Sequence, residues 1–514
     1  MKRVNVLSIL IAALFLAGCN SIPKDYPRIL STAYNNQKST SMGKMIEREA
    51  AKHPGKSGFE IIRYGRQAFT ARVAMTEMAE KTLDLQYYLW EPDATGQILA
   101  YSVLKAADRD VKVRVLLDDI GLGGRDDMIA ALDVHPNIEI RIFNPFSNRG
   151  MHAFDFLSDF DRVNHRMHNK MMTIDNALSI VGGRNIGDHY FGVSQDGNFR
   201  DLDMAAAGPV VREISNVYDY FWNGKWAVPI AALAEKPHNK ADLQRARQVL
   251  AQRVAQADYP YPLAKDSREM RSRMKKLLRH FVWAEGQIVW DDPKQMKLSK
   301  EKQKGTMVQK LNKRVKSLKK SLYIESPYFI PRNRGTAILV ALQKRGMNVR
   351  ILTNSLSSND VLPAHAGYER YRKTLVQNGI KMYEMRPDVG HHKVINKRPF
   401  KGTTKSGLHA KTIVFDEKDV FVGSLNLDPR SDAINTEGGL YVKSPELARR
   451  VMAFMHEGVK LENAYRVVTD KKGHLVWVTR ENGKQVTYTS DPKAGVWQQF
   501  QVGVIQALPV EDQL

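Results

Sequence analysis

Cysteine is almost absent: the 514 residues contain one, Cys19. A single thiol excludes a disulfide within the chain and leaves no thiolate cluster for a zinc or iron–sulfur site. Long apolar runs are missing too. The stretch from Val4 to Leu16 falls short of the ~20 residues that a membrane-spanning helix needs. Acidic residues are outnumbered, 55 Asp and Glu against 78 Lys and Arg, which leaves a formal charge of +23. Such an excess points to anionic partners, either nucleic acid or an anionic membrane surface, and charge alone does not choose between them. The chain shows no cluster with metal-ligand spacing, so neither a metal nor a cofactor is expected. What is present, 43% hydrophobic and 26% charged residues, describes a folded body large enough for two or three domains.

The first residues narrow the choice of partner. Lys2 and Arg3 precede the apolar run, which has the shape of a secretory signal. It ends in Leu16-Ala17-Gly18-Cys19, which resembles the bacterial lipobox, where cleavage precedes a cysteine that is then lipidated. On that reading residues 1–18 are a lipoprotein signal peptide, Cys19 carries the lipid, and residues 19–58 form an N-terminal anchor segment. The mature chain would keep 23 − 2 = +21 charges, so acyl chains and charge would hold it at a membrane face together. Asn20 after the cysteine favours the outer membrane over the inner by resemblance to lipoprotein sorting, with the protein facing the periplasm.

An internal repeat dominates the rest. From His168 the steps to Lys170, Asp175, Gly182 and Asn185 are 2, 7, 14 and 17; from His409 to Lys411, Asp416, Gly423 and Asn426 they are the same. Upstream of each motif, Leu83 to Leu89 and Leu322 to Tyr328 read as strands. Each is followed by a helical stretch (Gly96 to Asp108, Arg334 to Arg345) and a second strand (Val111 to Leu117, Asn348 to Thr353). Alternating strands and helices predict two α/β lobes, 59–230 and 281–465. Residues 231–280 are charged and helix-compatible, a cover on the junction or a solvated surface helix. Residues 466–514, with Glu481-Asn-Gly-Lys484 between β-type runs, predict a C-terminal extension containing a hairpin.

On a strand, side chains at i and i+2 share a face, so His168 projects with Lys170 and His409 with Lys411. Asp175 and Asp416 fall at strand ends and are expected to organise turns rather than touch substrate. Asn185 and Asn426 can donate amide hydrogens to a phosphate oxygen. Two lobes meeting about a pseudo-twofold axis would gather two imidazoles, two ammonium groups and two amides, a set suited to a phosphodiester. One imidazole attacks phosphorus, the other moves the proton of the alcohol, and the cations stabilise the non-bridging oxygens. A nucleophilic imidazole needs a carboxylate on its other nitrogen. Asp203 and Glu437, each just ahead of an apolar strand after its motif, are the candidates. His152, His165, His189, His391 and His392 have no repeat behind them and stay unassigned.

These residues resemble the HKD motif of the phospholipase D superfamily, H-x-K-x4-D with a downstream G-[GS]-x-N, and both copies are complete. Within the superfamily the resemblance is to bacterial cardiolipin synthases of the C-type subgroup. It is carried by Asn144-Pro-Phe146, Arg166 to Lys170, Gly182 to Gly187 and Phe199 to Asp203 in the first half. In the second half Thr353-Asn-Ser-Leu356 with Asp360 and His365-Ala-Gly-Tyr368 carry it. The family implies an α/β fold of two homologous phospholipase D-like lobes, each a mixed sheet flanked by helices, about a pseudo-twofold axis. It implies His168, Lys170, Asp175, His409, Lys411 and Asp416 as the catalytic motif. It also implies a ping-pong transfer through a covalent phosphatidyl-histidine: phosphatidylglycerol as acceptor, and phosphatidylglycerol or phosphatidylethanolamine as donor, giving cardiolipin. His168 is assigned as nucleophile and His409 as general acid/base, and the reverse stays open. The lipobox leader departs from synthases with N-terminal membrane helices, which keeps phospholipase D hydrolysis to phosphatidic acid as an alternative. A secreted nuclease of the superfamily and a non-catalytic scaffold rank lower, and a need for an accessory protein is undetermined.

Overall fold

A computed structural model describes residues 22–23, 25–263, 266–389, 405–508 and 513; Cys19, His391 and His392 lie outside them. Strand residues such as Val113, Val115, Leu116 and Leu117 are buried because helices cover the sheet they belong to, the usual fate of a parallel strand. The first half holds β1 (Ser57–Ile62), β2 (Thr82–Tyr87), β3 (Lys112–Asp118), β4 (Ile138–Phe143), β5 (Met171–Ile174), β6 (Leu178–Gly182), β7 (Gly197–Arg200), β8 (Asp203–Ala207) and β9 (Ala227–Pro229). Excluding β7, their spatial order is β9-β4-β3-β2-β5-β6-β8-β1, parallel across β2, β3 and β4 and antiparallel elsewhere.

The second half repeats this plan with β10 (Val282–Trp290), β11 (Ser321–Glu325), β12 (Asn348–Asn354), β13 (Lys381–Met385), β14 (Lys405–Leu408), β15 (Thr412–Phe415), β16 (Asp419–Gly423), β17 (Gly438–Lys443) and β18 (Ala464–Thr469). Its order, β18-β13-β12-β11-β15-β16-β17-β10, copies the first. The halves join edge to edge, Ser57 of β1 opposite Ala284 of β10, and an antiparallel pair of equivalent strands is what a local twofold requires. Behind this seam the helices Pro209–Trp222 and Pro445–Gly458 bury Val211, Ile214, Phe221, Leu447, Val451 and Phe454 in one core shared by both lobes.

Several segments sit differently from the sequence reading. Strand β18 runs across residue 465, and β19 (Leu475–Glu481) and β20 (Lys484–Tyr488) extend the same sheet beyond it. The turn between them places Asn482 and Gly483 at φ 50° and 79°, as a two-residue hairpin demands. The helix Lys240–Gln256 lies on lobe 1, inserting Leu243, Ala246 and Leu250 beside the helices Ala94–Ala107 and Asp126–Asp133, and does not cover the lobe junction.

The motif aspartates are turn organisers. Asp175 and Asn176 have φ 52° and 49°, Asp416 and Glu417 have φ 52° and 57°, all in the left-handed region that disfavours side chains. Each aspartate offsets that strain by accepting backbone N–H groups from the start of the first strand: Asp175 from Glu80, Lys81 and Thr82, Asp416 from Lys319, Lys320 and Ser321. Asp175 is buried and Asp416 half-buried, and the amides around Asp416 are more exposed. Asp175→Ala should therefore lower stability by about 3 kcal/mol and Asp416→Ala by about 1 kcal/mol, because stranded donors cost more away from water. Urea denaturation followed by fluorescence checks the order; equal losses would show that burial does not set the difference.

Candidate active site

Each motif histidine is placed by the opposite lobe. The His168 amide donates to the carbonyl of Thr436 at 2.9 Å, and the His409 amide donates to the carbonyl of Arg200 at 2.8 Å. In both cases the acceptor immediately precedes an acidic residue. Its own lobe fixes the residue before each histidine: Met167 donates to Asp118 and Leu408 to Asn354, both at 2.7 Å, from the ends of β3 and β12. The segment before His409 is strand β14, which pairs in parallel with β7 of lobe 1.

The acids that follow those carbonyls hold the imidazoles. His168 Nδ1 lies 2.9 and 3.0 Å from the two Glu437 oxygens, and His409 Nδ1 lies 2.6 Å from Asp201 Oδ2. Contact at Nδ1 leaves Nε2 of each ring for chemistry. Glu437, one of the two candidate partners, lies against His168 of the opposite lobe, a pairing that the sequence did not specify. Asp203, expected beside an imidazole, is not there. It accepts from Arg72 at 2.9 Å and lies 3.2 Å from Arg184, a fully buried ionic cluster under the site. Strand register explains the two-residue error: Gly182 faces Asp203 and Gly423 faces Gly439, so the counterpart of Glu437 is Asp201. Residues 201 and 203 share one side of an extended chain, and spacing alone could not separate them. The glycines beside the site make room: a Cβ at Gly183 would lie 2.3 Å from Asp201 Oδ1. Its counterpart Ser424 instead donates its hydroxyl to Glu437, which also accepts from Ser431 at 2.7 Å.

Lys170 and Lys411 are buried and donate to the carbonyls of His168 and His409 at 2.6 and 2.7 Å. Burial pushes Lys411 down to about 8 and Lys170 well below the usual lysine range. Both charges reach both rings: burial and then Lys170 and Lys411 hold His168 well below its ordinary value, and burial with Lys411 takes His409 to about 4. Burial raises the Asp201 carboxyl, but His409, Arg184 and Lys411 outweigh it and leave it at about 2. Burial pushes Glu437 up to about 7. Burial and the neighbouring lysines thus favour the unprotonated form of both imidazoles, while Asp201 beside His409 stays ionised. Tyr88 and Tyr190 pack edge-on to His168 and His409 at 4.9 and 5.0 Å and fix the ring planes. No sequence signal marked them.

Of the two asparagines, Asn185 uses its amide on the Tyr190 hydroxyl at 2.8 Å, while Asn426 has a buried Oδ1 with no partner among the described residues. The unassigned histidines stay peripheral: His152 stacks on Phe146, His165 binds the Ile434 carbonyl and His189 the Gly197 carbonyl.

The family model described as "Cardiolipin synthase, PLD-like domain" matches residues 73–222 and 311–457, one copy per lobe. The chain belongs to this family of phospholipase D-like proteins. It is 36% identical to cardiolipin synthase C of Escherichia coli (strain K12) over 90% of this chain and 97% of that one. It is 23% identical to a cardiolipin synthase of Staphylococcus aureus over 76% of this chain and 65% of that protein. Among solved structures, phosphatidylserine synthase of Haemophilus influenzae Rd KW20 superposes with a TM-score of 0.57 at 15% identity, covering 91% of this chain and all of that one, which establishes the shared fold.

Three expectations follow for this family member. Asp201→Asn should lower kcat by about two to four orders of magnitude through loss of the oriented tautomer. Asp203→Asn should instead cost about 3–5 kcal/mol of stability by stripping a counter-charge from buried Arg72 and Arg184. Steady-state kinetics beside denaturant melts separates them, and the reverse pattern would return the imidazole to Asp203. Because Lys411 loses its proton as pH rises through about 8, kcat/KM should fall on the alkaline side from that pH. A limb above pH 10 would mean that the lysines are solvated.

Proposed function

We propose that this chain is a phosphatidyltransferase that makes cardiolipin from phosphatidylglycerol and a second phospholipid through a covalent phosphatidyl-histidine. The observation that carries this reading is the crossed pair His168–Glu437 and His409–Asp201, with two lysines in reach of both rings. The relationship to the Escherichia coli cardiolipin synthase C supports the lipid substrate.

His168 Nε2 attacks the donor's phosphorus, and the bond to the departing alcohol breaks as His409 delivers a proton to that oxygen. His409 then takes the proton of the phosphatidylglycerol hydroxyl, whose oxygen attacks phosphorus and displaces His168. Lys170 and Lys411 face the non-bridging oxygens, and Asn426 supplies an amide beside them. Burial and then the lysine charges depress His409, and the negative phosphodiester offsets the lysine part, which favours a proton on His409 when substrate is bound. Asp201, held at about 2 beside His409 Nδ1, suits a ring that cycles through imidazolium, which supports His409 in the acid–base role with His168 as nucleophile. Asp175 and Asp416 act from the turns, holding the strands that present the motif.

The same reading places the protein at the bacterial envelope, lipid-anchored through Cys19, facing the periplasm, at the outer membrane. Among the described residues no helix is long and apolar enough to cross a membrane, so acyl chains and the basic charge would supply the attachment.

Mass spectrometry of lipids after incubating the full chain with mixed phosphatidylglycerol and phosphatidylethanolamine vesicles tests this. Cardiolipin is expected together with free glycerol or ethanolamine, the released alcohol naming the donor, and none is expected from His168→Ala. Phosphatidic acid alone would make the enzyme a hydrolase using the same residues. Cleavage of nucleic acid with no lipid turnover would replace the lipid reading altogether.

A further inference from the structure

The two lobes fill their interiors differently at one place. In lobe 1 the helix Gly65–Met78 points Phe69 at Phe191 of the short helix after the motif, ring centroids 4.9 Å apart, with Tyr259 closing the cluster at 5.0 Å. The equivalent positions in lobe 2 follow from the repeat. Phe69 lies 82 − 69 = 13 residues before β2, and Val308 lies 321 − 308 = 13 before β11. Phe191 lies 191 − 168 = 23 after its histidine, and Asp432 lies 432 − 409 = 23 after the other. Two aromatic rings are thus replaced by an isopropyl group and a carboxylate, and where the rings would sit lobe 2 has a cavity of about 620 Å³.

That volume lies in the range of ligand pockets and far above the water-sized voids of a packed interior. Its deep wall is aliphatic, including Leu311, Leu322, Ile324, Leu339, Ile413 and Leu425. Lys300 and Arg334 stand at its exposed rim, and Lys300 is tied to Asp432. Motif residue Asn426 and Asp428 also line it, and Asp428 is within electrostatic reach of Lys411. A molecule using both places carries an apolar arm on a phosphodiester head, with the head at the histidines and the arm between the helices Met307–Lys316 and Arg332–Lys344.

We propose that this lobe 2 cavity receives an acyl chain of one phospholipid substrate and that the corresponding position of lobe 1 is closed by Phe69 and Phe191, an apolar hollow of about 270 Å³ lying elsewhere in that lobe. The assignment rests on the phospholipid reading of the active site. It makes the two substrate positions unequal although the catalytic groups are nearly symmetric.

Two measurements test it. The first uses the wild-type full chain and phosphatidylglycerol with a terminal diazirine on one palmitoyl chain. After irradiation and digestion, label is expected on 307–316 or 332–344; label found only on other segments overturns the cavity. The second restores the lobe 1 residue with Val308→Phe and compares dioleoyl with dihexanoyl phosphatidylglycerol. The ratio of kcat/KM for the long-chain over the short-chain lipid should fall about tenfold, the loss expected when a pocket for several methylenes is filled. An unchanged ratio in a variant that melts like wild type overturns the proposal. If Val308→Phe does not fold, the photolabel on wild type decides alone. Wild-type protein that turns over neither lipid would reject the phospholipid reading itself, a result separate from active enzyme labelled elsewhere.

Discussion

The exchange of carboxylates between lobes is the constraint on which the site depends. Neither lobe can orient its own imidazole, since His168 relies on Glu437 and His409 on Asp201. Hydrogen-bond lengths of 2.6 to 3.0 Å leave little tolerance for movement between the halves. The fold meets this demand by running β-pairing across the seam, β1 with β10 and β7 with β14, and by burying the helices 209–222 and 445–458 in a common core. The joint is continuous with the sheets, so the active site is held as firmly as a strand register.

Electrostatics follows from that geometry. Two lysines, two imidazoles and two carboxylates enclosed together cannot all hold their ordinary charges, because burial penalises every ion and the lysines act on both rings. The site settles with neutral imidazoles and with lysines whose protons are loosely held. A bound phosphodiester would add negative charge within reach of both lysines. The protein is in this sense preorganised for its ligand, with donors and dipoles fixed before binding.

Symmetry is kept where chemistry needs a pair and abandoned elsewhere. Gly183 gives Asp201 room, whereas Ser424 in the same place donates to Glu437, so Asp201 accepts from the Leu202 amide and Glu437 from two serine hydroxyls. At the helix after each motif the lobes diverge further, with Phe69 and Phe191 filling one and a hollow beside Val308 and Asp432 in the other. A duplicated scaffold can thus give its two halves different duties in a transfer that involves two different molecules.

The spacing of His168, Lys170, Asp175, Gly182 and Asn185, and its repetition from His409, determined the duplicated α/β fold and four of the side chains gathered at the candidate site. Side-chain period along a strand and repeat register are local properties that a sequence displays directly. The turn role of Asp175 and Asp416 was legible for the same reason. What only the tertiary structure decided is who pairs with whom. Asp201 and Asp203 lie on the same side of the chain, and only the register of β8 against β6 sends one to the imidazole and the other to Arg72 and Arg184. The crossed partners lie 269 and 208 residues apart in the chain. No periodicity spans that distance; it is bridged by the seam between the lobes.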